Sequence, residues 1–270
     1  MHPALPKSYK NIFPFKIGST SFIYPDDYEH NVKILAPYLD EIELLLFESS
    51  PGSLPSKHQI KTLSTLANEF DISYNIHMPI DISLGDLDPN RRHHAIDVIK
   101  RVVDLTQTLL PSTYTLHLSY NNVSVERKAL GKWQEMIFES MEQLMLTGIN
   151  SEAISIENLM YPFEWIEDII TSFQLSVCLD LGHLILQKAD IESIFKKYEK
   201  IIPIIHIYGV ENQHEHLSLD TLSKKDMEPI LKILKTFSGV VSIEVFSYSH
   251  LRTSLDVLER CWLKKNTGLG

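Results

Sequence analysis

Cysteine is nearly absent from this 270-residue chain, and the two that exist, Cys178 and Cys261, do not form a CxxC pair. A disulfide scaffold and a cysteine-only zinc site are thereby excluded. Cys178 lies inside an apolar run and reads as core filler. Glycine is also scarce, at 10 residues. No GxGxxG, GxxxxGK[ST] or GxSxG stretch occurs, which argues against nucleotide cofactors cradled by Gly-rich loops and against a serine nucleophile. GlyValGluAsnGlnHis, from Gly209, is too short for a phosphate loop. No apolar run approaches the 18 or so residues of a membrane span, and the opening MHPALPKSYKNIFPFK has no signal-peptide core. The formal net charge of −10 lacks the basic footprint of a nucleic-acid binder. These absences leave a cytoplasmic protein with a small-molecule partner as the expectation, without membrane insertion and without nucleic acid.

What is present is alternation. Eight β-type runs, 15–19, 41–47, 72–77, 113–118, 153–157, 175–180, 202–208 and 240–246, are separated by segments of helical spacing. Most runs are apolar on both faces, as strands of a covered parallel sheet must be. Among the intervening segments, 90–110 carries Ile96, Ile99, Val102, Val103, Thr106 and Leu109. Segment 132–146 carries Trp133, Ile137, Met141 and Leu144, and 225–237 carries Met227, Ile230, Leu231 and Leu234. Such stripes are the core-facing sides of outer helices. Pro111 and Pro203 punctuate the chain before the fourth and seventh runs. The pattern specifies an α/β fold, a single parallel eight-stranded (β/α)8 barrel over 1–270, with 1–13 as an N-terminal arm and 265–270 as a tail.

Six of these runs end in, or just before their end carry, a metal-ligand residue type: His77, His117, Glu157, Asp180, His206 and Glu244. Strand ends of a parallel barrel converge on one face, so residues remote in sequence would meet there. Clustered carboxylates need a cation or proton to hold them together. Glu157, Asp180, His206 and Glu244 form the inner set, and His77 with His117 forms a pair that could hold a second ion with Glu157 as bridge. His183, His214 and His216 lie in loops. At i and i+2 of an extended loop, the last two would point the same way and could join His183 on a third ion. The cofactor expectation is one to three divalent ions, zinc first and manganese as the other candidate. Glu157, Glu244 and Asp180 are the catalytic candidates. Aromatic residues near strand ends, Tyr24, Phe47 and Tyr120, are candidates for a substrate pocket.

The motifs IleHisMetPro, LeuHisLeu, IleGluAsn, LeuAspLeuGlyHis, IleHisIle, HisGluHisLeuSerLeu and IleGluVal resemble those of the xylose isomerase-like barrel superfamily. It includes sugar isomerases, epimerases and apurinic-site endonucleases related to endonuclease IV. The endonuclease branch implies three zinc ions on nine ligands, which here would be His77, His117, Glu157, Asp180, His183, His206, His214, His216 and Glu244. His214 stands where that branch usually has Asp. A narrower resemblance, over PheLysIleGlySerThrSerPheIleTyrProAspAsp and LeuAlaProTyrLeuAspGluIleGluLeuLeuLeuPheGlu, is to the cobamide-remodelling phosphodiesterases. It implies hydrolysis of the nucleotide-loop phosphodiester of a corrinoid. The alternative is a sugar or sugar-phosphate isomerase or epimerase with one ion on the inner set and Glu157 and Glu244 as acid and base.

Overall fold

A computed structural model describes residues 2–120 and 124–266, the last three of these as backbone only. Strands β1 (Lys16–Thr20), β2 (Glu41–Leu45), β3 (Ser73–His77), β4 (Tyr114–Leu116), β5 (Ile154–Glu157), β6 (Ser176–Asp180) and β7 (Ile204–Ile207) follow one another in chain order. A short antiparallel hairpin comes next, β8 (Gly209–Glu211) with β9 (His214–Leu217), and then β10 (Val240–Ile243). Among the described residues, β1 to β7 and β10 form a closed, all-parallel eight-stranded barrel in which β10 pairs with both β7 and β1. Closure leaves no sheet edge, so the short apolar strands are fully hydrogen-bonded.

Helices run between the strands: α1 (Tyr28–Leu35), α2 (Lys57–Phe70), α3 (Pro89–Thr106), α4 (Arg127–Met145), α5 (Glu167–Phe173), α6 (Leu181–Leu186), α7 (Ile191–Tyr198), α8 (Lys224–Leu234) and α9 (Tyr248–Asn266). Local chemistry sets their ends. Ser56 and Gln59 form a capping box on α2, and Asp88 caps α3 with Pro89 in its first turn. The apolar stripes read from sequence face inward: Ile96, Ile99, Val102 and Thr106 on α3, and Trp133, Ile137, Met141 and Leu144 on α4, are buried. So are Met227, Ile230, Leu231 and Leu234 on α8.

Outside the barrel strands, the N-terminal segment that precedes β1 packs against the last helix. Leu5, Tyr9 and Phe13 are buried, and the Tyr9 hydroxyl donates to Asp256 at 2.8 Å, so the N-terminal segment is docked onto α9. Residues 265 and 266 continue α9, while 267–270 of the expected tail lie outside the described residues. No helix among the described residues is long and apolar enough to cross a membrane.

Candidate metal centre

Parallel strands deliver their last residues to one rim, and six of the ionisable groups read from sequence, His77, His117, Glu157, Asp180, His206 and Glu244, meet there. The ligand atoms of Glu157, Asp180, His206 and Glu244 all lie within 4.8 Å of one another, and all four residues are buried. A second group with the same spacing contains His77, His117 and Glu157. Glu157 joins the two. Its Oε2 accepts from His77 Nε2 at 3.3 Å and from His117 Nε2 at 2.9 Å, whereas its Oε1 faces His206 Nδ1 at 3.7 Å and His183 Nδ1 at 3.9 Å.

Asp180 divides its carboxylate between two tasks. Oδ1 caps α6 by accepting from the His183 backbone N–H at 2.7 Å, while Oδ2 is buried without a hydrogen-bond partner. Gly182 allows α6 to start this close to β7, since a Cβ there would lie 2.2 Å from the Tyr208 ring. Asn158 fixes the same corner. Its amide donates to the Asp180 carbonyl at 2.9 Å, its Oδ1 accepts from the Asp180 N–H at 2.7 Å, and its own carbonyl accepts from His183 Nδ1 at 2.8 Å.

Electrostatics follow from burial opposed by pairing. Burial would lower the His77 imidazole, but the Glu157 carboxylate beside it carries it up to about 9. Its Nδ1 donates to the Met78 carbonyl at 3.0 Å while Nε2 donates to Glu157, so both ring protons have acceptors. Burial would raise Glu157, yet His117 and His206 hold it well below the usual carboxylate range. Glu244 is likewise held at about 2, chiefly by His206 against its burial. Asp180 goes the other way, to about 7, because burial outweighs the pull of His183.

A test of whether a cation suits this site comes from atoms left without partners. Asp180 Oδ2, Glu244 Oε2 and His206 Nδ1 are buried and make no hydrogen bond. Native interiors rarely strand polar atoms in this way, and these belong to three of the four inner residues. Two or three carboxylates with one imidazole is a donor set for zinc, manganese or another divalent ion. The inner set fits a metal.

The remaining sequence candidates divide. His183 is buried beside Asp180, and His216 turns its Nδ1 toward the Glu244 carbonyl at 3.0 Å. His214 does not join them: it is exposed on the hairpin, and neither it, His183 nor His216 belongs to the close ligand groups found among the described residues. The backbone here is not the plain extended loop expected for the i, i+2 pair. His216 has φ of 56°, in the left-handed region, so the regular strand alternation is broken there. Of the aromatic candidates, Tyr120 lines a cavity of about 770 Å³ over the cluster, together with Tyr161, Trp165, His117, Glu157 and Glu244. Tyr24 sits elsewhere, buried between His2 and Tyr248 with its hydroxyl on the Pro3 carbonyl at 2.6 Å. Phe47 packs on Phe22 and Phe246 outside that cavity lining.

Two residues of the site escaped the sequence reading. Asn158 follows Glu157 in the IleGluAsn motif, where an amide carries no metal-ligand signal of its own. Glu43, fully buried in β2, places Oε1 3.2 Å from His206 Nε2. The available signal was that Glu41 and Glu43 share one face of an otherwise apolar strand.

A closed parallel barrel with a candidate ligand cluster at its C-terminal rim defines the class, a TIM-type barrel, in which strand ends carry the chemistry. Residues 39–265 match the family described as xylose isomerase-like TIM barrel, and the chain belongs to that family. Comparison with curated proteins gives no match. Among solved structures, a D-tagatose 3-epimerase-like protein is 18% identical, with a TM-score of 0.76 over 95% of this chain and 100% of that one. The E. coli 3-keto-D-glucoside 4-epimerase is 15% identical, with a TM-score of 0.68 over 93% of this chain and 99% of that one. An AP endonuclease of family 2 from Brucella melitensis is 13% identical, with a TM-score of 0.65 over 91% and 99%. At these identities the likeness establishes the fold. The matches support the superfamily and do not extend to the cobamide-remodelling branch suggested by the N-terminal resemblance.

Proposed function

We propose that the protein is a divalent-metal-dependent isomerase or epimerase of a keto sugar or sugar phosphate. The observation that carries this is the compact inner set, Glu157, Asp180, His206 and Glu244, with its buried unpartnered ligand atoms beneath an aromatic-walled cavity. These four residues would hold the ion. A divalent cation bound there supplies Lewis-acid polarisation of the substrate carbonyl and offsets the negative charge that develops on its oxygen. Glu157 and Glu244 are the acid/base pair. Both stay ionised at neutral pH, and either can take a proton from the carbon next to the carbonyl and return it. Tyr120, Tyr161 and Trp165 offer apolar ring faces to the C–H faces of a sugar and limit water. Solved structures of similar fold include a D-tagatose 3-epimerase-like protein, a D-psicose 3-epimerase and an L-ribulose 3-epimerase, which supports this reading over the hydrolytic one.

Phosphodiester hydrolysis is the second reading, and one observation favours it: the His77–His117–Glu157 group could hold another ion. Against it, His214 is exposed on the hairpin and outside the close ligand groups found among the described residues. A corrinoid substrate has no support in the fold or family match and is not part of the proposal. The test is solvent exchange. Ketoses and ketose phosphates are incubated in D₂O with metal-loaded protein, and deuterium at the carbon beside the carbonyl is read by NMR. The proposal expects incorporation that stops on chelation. Its absence across the panel, with hydrolysis of bis(p-nitrophenyl) phosphate, would favour the second reading.

A further inference from the structure

Glu41 and Glu43 enter the barrel interior from the same face of β2, and both are fully buried. Their surroundings differ. The Glu41 carboxylate is satisfied locally, by Ser73 at 2.5 Å, Asn75 at 3.0 Å and Ser112 at 2.6 Å, with Lys16 at 3.9 Å. Glu43, two residues nearer the active rim, has one oxygen so occupied: Ser242 Oγ donates to Oε2 at 2.5 Å. The other, Oε1, is buried without a hydrogen-bond partner and lies 3.2 Å from His206 Nε2. That separation is within hydrogen-bond reach but the groups are out of line, so a small ring rotation completes the bond. On the opposite edge of the same ring, His206 Nδ1 faces Glu244 Oε2 at 3.3 Å and Glu157 Oε1 at 3.7 Å.

We infer that Glu43 is the positioning residue of the metal centre, holding His206 so that Nε2 carries the proton and Nδ1 is presented as the ligand. The inference rests on the metal-centre reading above. A carboxylate behind a ligating imidazole fixes ring orientation and tautomer and raises ligand basicity. Ser242 completes the device. It is paired in register with His206 across β10 and β7, so the serine that anchors Glu43 and the ring that Glu43 orients sit on adjacent strands. A merely space-filling acid would be bonded at both oxygens, as Glu41 is.

The experiment uses chelator-stripped full-length protein and Zn²⁺, with affinity measured by competition against a chromophoric chelator. Glu43→Gln keeps the shape and removes the charge, and its Zn²⁺ affinity should fall by about 10–100-fold. Ser242→Ala frees the Glu43 anchor and should lose less. In Zn²⁺-loaded wild type, the His206 ring should show a slowly exchanging proton on Nε2 by ¹⁵N-resolved NMR, and Glu43→Gln should shift or lose it. A purely structural role would lower the melting temperature and leave both readouts unchanged. Affinity of Glu43→Gln within about two-fold of wild type, or a His206 proton on Nδ1, overturns the inference. Wild type that binds no Zn²⁺ overturns the metal-centre reading and this inference with it. Should Glu43→Gln not fold, Ser242→Ala with normal affinity and the NMR of wild type still decide it.

Discussion

Asn158→Ala tests how the corner between β5 and β6 is held. The Asn158 side chain is almost fully buried, and it closes two hydrogen bonds with the backbone of Asp180, at 2.9 and 2.7 Å. Truncation leaves the Asp180 N–H and C=O buried without those partners. At about 1–3 kcal/mol for each such group, the loss is about 2–6 kcal/mol. That is a large fraction of the roughly 5–15 kcal/mol by which domains are stable. For a chain of this size it corresponds to a fall in Tm of about 5–20 °C. Asp180 would also lose the frame that aims Oδ2 into the cluster, so divalent-ion affinity should fall by about ten-fold or more. Thermal unfolding followed by circular dichroism, beside metal competition, reads both effects. A Tm within about 1 °C of wild type and unchanged affinity would refute the reasoning.

Three other outcomes are expected. Glu157→Gln should reduce turnover by about 10²–10⁴-fold, the range for loss of a general acid or base, with near-normal circular dichroism; unchanged turnover at normal metal content would remove Glu157 from the chemistry. His117→Ala, outside the inner set, should keep the ion count of wild type and lose turnover modestly, whereas loss of about one ion per chain would favour the two-metal hydrolytic reading. The metal-free protein should lose stability from about pH 6.5 to 9.5. His77 and His183 are raised to about 9 by neighbouring acids despite burial, so their contribution is complete below their ordinary pKa of 6.5 and is lost as pH rises through about 9. Asp180, raised to about 7 by burial, loses its contribution earlier, as pH rises from the ordinary carboxylate range to about 7. Divalent-ion affinity should rise over that window, since binding displaces imidazole protons. A Tm of the metal-free protein that is flat or rising across it would contradict the charge assignments.

The barrel was legible because covered parallel strands and outer helices have distinct apolar periods, and the four inner candidates because each lies at or beside the C-terminal end of a strand. Boundaries were less so: His117 and Glu244 lie one residue past β4 and β10, where the ladder has already stopped but the direction of the strand persists. The segment 209–217 has the sequence of an extended loop and folds as a hairpin. Asn212 and Gln213 both take left-handed φ values, 49° and 67°, to make its turn without glycine, and His216 takes another. No pattern of apolar residues reports such a reversal, so the placement of His214 could not be read. Glu43 was hidden differently. It sits within a strand, not at its end, and only its partner His206, 163 positions further along, gives it meaning.

The most direct measurement is the anomalous scattering map of crystals soaked in Mn²⁺. The account predicts a peak bounded by Glu157, Asp180, His206 and Glu244, with Nδ1 of His206 toward it and Glu43 behind Nε2. A map with no peak among those four side chains, or with density only beside His77 and His117, would contradict it.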